Sequence, residues 1–91
     1  MLTIWKFEIE VTDKQEVEMP RGAELLFVGR QGSQPADKLM LWAEVDTTEP
    51  RVLRQLRIAG TGHPLDEYEK YVGSVIVEPF VWHLYDRGEV R

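Results

Sequence analysis

Apolar and polar residues alternate with a period of two along most of this chain. In residues 2–11, LTIWKFEIEV, the side chains of Trp5, Phe7, Ile9 and Val11 alternate with Lys6, Glu8 and Glu10. That is the pattern of a strand with one buried and one wet face. In residues 38–46, KLMLWAEVD, one face carries Leu39, Leu41, Ala43 and Val45, and the other Met40, Trp42, Glu44 and Asp46. Residues 24–30, ELLFVGR, form an unbroken apolar run of strand length, which predicts burial on both faces. The stretch TDKQEVE before it reads as a polar connection. Residues 52–58 fit two patterns: Val52, Leu53 and Leu56 make a helical face, while Leu56 and Ile58 alternate around Arg57. Strand is favoured at 55–59, because the segment is short and ends in a glycine turn. Residues 71–86, YVGSVIVEPFVWHLYD, predict a hairpin cornering at Glu78-Pro79, with Phe80, Trp82 and Leu84 opposite in facing to Val81, His83 and Tyr85. LDEYEKY predicts one helical turn, and residues 87–91 a frayed tail.

Between these segments lie MPRGAE, QGSQPAD, TTEP and GTGHP, each rich in turn-forming residues. Six to seven short strands at turn intervals of about 8–12 residues predict a mainly β fold, a small antiparallel sandwich or barrel. Ninety-one residues make a single domain over 1–91. Such a sheet has open edges, and joining them between copies predicts a homo-oligomer.

Composition narrows the function. With no cysteine there are neither disulfides nor thiolate metal sites. No run approaches the roughly 20 apolar residues of a spanning helix, and MLTIWKFEIE lacks the layout of a signal peptide; the reading is a soluble protein without a membrane partner. Sixteen acidic against eleven basic residues give a net charge of −5. Duplex nucleic acid is bound chiefly through Lys and Arg on phosphates, so it is excluded as a partner.

Three features carry candidate chemistry. Gly60, Thr61, Gly62 and His63 form a glycine-rich loop whose amides, hydroxyl and imidazole suit a small anion. The same residues also make an ordinary tight turn, with positive φ at glycine and a stiff exit at Pro64. The loop matches neither the phosphate-binding P-loop nor the dinucleotide fingerprint. Arg51, Arg54 and Arg57 recur at a spacing of three; a guanidinium binds phosphate or carboxylate as a fork, or else pairs with Glu44, Asp46 and Glu49 on a neighbouring strand. Trp42 lies on the polar face of its strand, as an interface or ligand-stacking residue would. His83 reads as a packed strand residue. No metal site, cofactor or catalytic constellation is legible, and Ser33 and Ser74 sit in no nucleophile elbow, so the protein is expected not to be an enzyme.

The ordered set WKFEIEVTDKQEVEMPRGAELLFV, LWAEVD, GTGHP, YVG and VWHLYD resembles a family of small uncharacterised proteins encoded by phages and prophages. The resemblance covers nearly the whole chain. It implies a β-rich accessory protein acting in the host cell cytoplasm, and a setting without a mechanism. The chain is longer than is usual in the family around GRQGSQPADK, and it turns at Glu78-Pro79 where glycine is more usual. Two readings stay open. One is a non-catalytic binding protein that counters host defence by sequestering a small anionic ligand, such as a nucleotide signal, through Arg54, Arg57, Gly60, Thr61, Gly62, His63 and Trp42. The other is a protein-interaction module, either an inhibitor of a host protein or a minor structural component.

Overall fold

Strands that are apolar on one side only must bury that side against another sheet. The computed structural model describes residues 1–66 and 69–90. They form seven strands: β1 (Leu2–Glu10), β2 (Lys14–Pro20), β3 (Glu24–Gly29), β4 (Lys38–Asp46), β5 (Arg51–Gly60), β6 (Lys70–Val77) and β7 (Phe80–Glu89). One sheet has the order β1-β4-β3 and the other β2-β5-β7-β6. All pairings are antiparallel, giving a small β-sandwich. The described residues contain no helix long and apolar enough to cross a membrane.

The core sits where the central strands face each other. From β4 come Leu39, Leu41, Ala43 and Val45; from the opposite sheet come Met19, Leu56, Ile58 and Leu84, all buried. Each large aliphatic removed from water contributes about 2 kcal/mol. Trp5 and Trp82 pack against this cluster, partly buried.

Three segments depart from the sequence reading, and a fourth, residues 51–60, bears out the favoured strand and lengthens it. The polar stretch at 12–18 contributes most of edge strand β2, with Glu16 and Glu18 outward and Met19 inward. Its inward apolar side chains are too few to stand out by period, and pairing with β5 completes the strand. β3 is not buried on both faces: a bulge between Leu25 and Phe27 breaks the alternation, so Val28 is buried while Leu26 and Phe27 are exposed. An extra residue in an edge strand re-aims the side chains beside it. Residues 51–60 are one continuous strand, not the end of a helix, because β5 is paired on both sides, by β2 and β7. At the C-terminus, Arg87, Gly88 and Glu89 belong to β7, and the Val90 N–H donates to the Leu53 carbonyl at 2.8 Å. The tail is therefore paired rather than frayed as far as Val90. The helical turn expected in LDEYEKY falls partly on residues 67 and 68, outside the described residues; Lys70 and Tyr71 already belong to β6.

Candidate functional site

GTGHP begins where β5 ends. Gly62 has φ +93°, the left-handed conformation that glycine adopts without strain. The His63 N–H donates to the Gly60 carbonyl at 3.1 Å, closing a four-residue turn. The imidazole then folds back, and its Nδ1 accepts the Gly60 N–H at 3.0 Å. A Cβ at Gly60 would lie 3.1 Å from the His63 ring and 3.3 Å from the Trp82 ring. The first glycine thus fits a close approach of rings that a Cβ would crowd, and the second is favoured by its φ. His63 serves the turn with one ring nitrogen and does not present that nitrogen to a ligand.

The arginines are committed internally. Arg57 is 8% exposed. Its Nε donates to Asp13 at 3.0 Å, one terminal nitrogen lies 3.4 Å from Glu69, and the other donates to the Pro64 carbonyl at 2.6 Å. Burial draws its pKa down; the Asp13 hydrogen bond and the Glu69 and Asp13 charges more than offset this, leaving it raised. Arg87 holds Glu69 from the other side at 3.3 Å. Arg54 points into the sandwich, 6% exposed, pairing with Asp86 at 3.0 Å and Glu89 at 3.7 Å and donating to the Ala23 carbonyl. It lines an end cleft of about 340 Å³ whose walls also carry Lys70, Asp86 and Glu89, so charges of both signs meet there. Arg51 lies 4.6 Å above the Trp5 ring. Arg54 and Arg57 therefore do not form the anion clamp expected of them. Nor do they pair with Glu44, Asp46 and Glu49; their carboxylates come from loops and from β7. Alternation sends the two guanidiniums to opposite faces of β5, and the partners are set by what lies there.

A different group of polar side chains meets on the outer face of the four-stranded sheet. Ser74 is directly opposite His83 in the β6–β7 ladder. Its Oγ lies 2.7 Å from His83 Nδ1 and 2.6 Å from the Tyr71 hydroxyl. On the other side of the ring, Nε2 is 3.1 Å from Thr61 Oγ1. A neutral imidazole donates at one nitrogen and accepts at the other. The row Tyr71–Ser74–His83–Thr61 is therefore polarised in one direction, with a hydroxyl proton left to offer at Thr61 or at Tyr71. Both ring nitrogens are occupied by hydroxyls, so what the row offers a ligand lies at its ends, Thr61 and Tyr71. Thr61, His83, Tyr85, Leu65 and Ala59 line a cleft of about 210 Å³ beside the turn, and a second of about 380 Å³ lies between His63, Phe80 and Trp82.

The structure thus gathers Gly60, Thr61, Gly62 and His63, sets Arg57 beneath them as a tether, and places Arg54 inside the sandwich. Trp42 belongs elsewhere: it packs on Phe27 at 5.6 Å, on the outer face of the three-stranded sheet. Sequence reasoning missed Ser74 and Tyr71. A signal for Ser74 was present, since a two-residue turn at Glu78-Pro79 pairs Val77 with Phe80 and, three steps on, Ser74 with His83. Among the described residues, no three His, Asp or Glu side chains gather as a metal site would require.

A family model matches the chain over residues 1–91, and the chain belongs to that family, described as Domain of unknown function (DUF7352). No curated protein and no solved structure matches it.

Proposed function

We propose that this member of a family of unknown function is a non-catalytic binding protein that sequesters a small nucleotide-like ligand. The observation that carries the reading is the hydroxyl–imidazole row ending at Thr61, which opens into the cleft beside Tyr85 and Leu65. It offers neutral donors and acceptors next to an aromatic ring, the chemistry that reads a base or a sugar. With Arg54 and Arg57 held by carboxylates, phosphate oxygens meet the turn and Thr61 rather than a guanidinium. At about 210 Å³ the cleft is smaller than the roughly 300–1,000 Å³ usual for small-molecule sites. One copy therefore grips a fragment, and a second copy closes over the rest, as in a homo-oligomer. The resemblance to phage-encoded proteins supports a role in the host cytoplasm against a nucleotide signal of defence.

Calorimetric titration with cyclic and linear nucleotides and their nucleosides tests this. Saturable binding is expected for at least one, weakened about tenfold by Thr61→Ala, the loss of one well-placed hydrogen bond or about 1.4 kcal/mol. His83→Ala should weaken it less, since it only removes the group that orients Thr61. Absence of binding across the panel refutes the reading. Hydrolysis of the bound nucleotide on prolonged incubation would replace it with an enzymatic one.

A further inference from the structure

The outer face of the β1-β4-β3 sheet carries large apolar side chains in the open. Phe27 is 60% exposed and Ile4 58% exposed, with Trp42 between their strands. The display is built by the backbone: the bulge after Leu25 brings Phe27 opposite Trp42 instead of into the core. The Phe27 ring then folds over Gly29, where a Cβ would stand 2.8 Å from it. Gly29 and Trp42 together hold the ring in place, so the aromatic pair is positioned before anything binds.

Charge on this face is unresolved. Glu24 and Glu44 are directly opposite in the β3–β4 ladder, and among the described residues neither makes an ion pair. Like charges opposite each other destabilise a sheet. Lys38, at the far end of β4, pairs with Glu10 at 2.8 Å. Lys6, opposite Trp42, donates to the neutral Gln31 at 2.8 Å and keeps its charge; Lys70 shares the end cleft with Glu24 without pairing with it. The Glu24–Glu44 row is one alternation along the strands from the Phe27–Trp42 row, about 7 Å. An extended arginine side chain spans that distance, its stem over the rings and its guanidinium between two carboxylates.

We propose that this face docks a basic segment of a partner protein, an arginine laying its stem over Trp42 and Phe27 and bridging Glu24 and Glu44 with its guanidinium. Arginine fits better than lysine, because its apolar stem covers the rings while a planar guanidinium fork donates to two carboxylates at once. A second copy of this chain fits poorly: with a net charge of −5, its matching face would bring Glu24 and Glu44 against themselves. The surface is separate from the cleft at Thr61 and does not depend on it.

The test is calorimetric titration with a short synthetic peptide of alternating arginine and alanine, beside its lysine and citrulline counterparts. Saturable one-to-one binding is expected, weaker for lysine and absent for citrulline, which keeps the shape and loses the charge. Phe27→Ala and the double variant Glu24→Gln/Glu44→Gln should each weaken it about tenfold. Glu16→Gln/Glu18→Gln, the same charge change on exposed positions of β2, should leave it unaltered. The double variant should also melt at or above the parent temperature, so loss of binding cannot come from unfolding. Failure of the arginine peptide to saturate overturns the proposal, as does equal weakening by the β2 pair. A dimer in sedimentation that Phe27→Ala dissolves would give the face to a second copy, and overturns it too.

Discussion

The two outer faces of the sandwich treat their charges in opposite ways. On the four-stranded sheet, Arg57, Asp13, Glu69 and Arg87 neutralise one another at 3.0–3.4 Å, and Tyr71, Ser74, His83 and Thr61 join in a hydrogen-bonded row. On the three-stranded sheet, Glu24 and Glu44 face each other while Phe27 and Trp42 lie open beside them. A charge held by internal partners stabilises the fold and has little left for a ligand. A charge opposed by its like costs stability and gains from a partner. The contrast separates arginines that look functional in sequence from carboxylates that look ordinary.

The strongest way to break this comparison is Arg57→Ala. It leaves Asp13 without its cation and Glu69, whose side chain is 1% exposed, with Arg87 alone. Urea unfolding should show a loss of about 3 kcal/mol, in the range for breaking a buried pair. A loss below about 1 kcal/mol would class the network with surface pairs and leave Arg57 available to a ligand. A smaller effect is expected from Gly62→Ala. An L-residue at φ +93° is strained, costing about 1 kcal/mol of stability, and the same unfolding curve would show it.

On the other face, relieving the like-charge pair should raise stability by a few tenths of a kcal/mol, read as a higher melting temperature for Glu24→Gln/Glu44→Gln. The smallest signal sharpens the contrast within that face. Asp46, further along β4, accepts hydrogen bonds from the Thr48 hydroxyl and N–H and from the N-terminal ammonium, which lower its pKa from 3.8 to about 2. A carboxyl with a depressed folded pKa adds stability above its unfolded value, lost as pH falls through the folded one. Its contribution should therefore fade between pH 4 and pH 2. Carboxyl-carbon NMR should place its midpoint near 2, and a midpoint near 3.8 would remove it from the satisfied class.

Much of the sandwich was legible in the chain because period-two alternation states directly which face of a strand is buried. β1 and β4 show it over nine residues each, and the observed core follows their odd positions from Phe7 to Ile9 and Leu39 to Val45. β2 was not legible, since its outward glutamates outweigh the few apolar residues it turns inward. The candidate site was legible in its turn and not in its chemistry. Gly60 and Gly62 mark a tight bend whatever surrounds them, but the partners of Arg57 lie 44 and 12 residues away. Ser74 and His83 became neighbours only through the register of a hairpin.

By itself the sequence determined the strand class, the faces of the long strands, the absence of cysteine chemistry and the turn at GTGHP, all of which are local consequences of residue type and period. Tertiary structure decided which charges are satisfied. Whether a guanidinium is a tether or a clamp depends on which carboxylates the fold brings within about 4 Å of it. It also decided that a one-residue bulge in β3 turns Phe27 outward to meet Trp42, because register is a property of two strands and not of one.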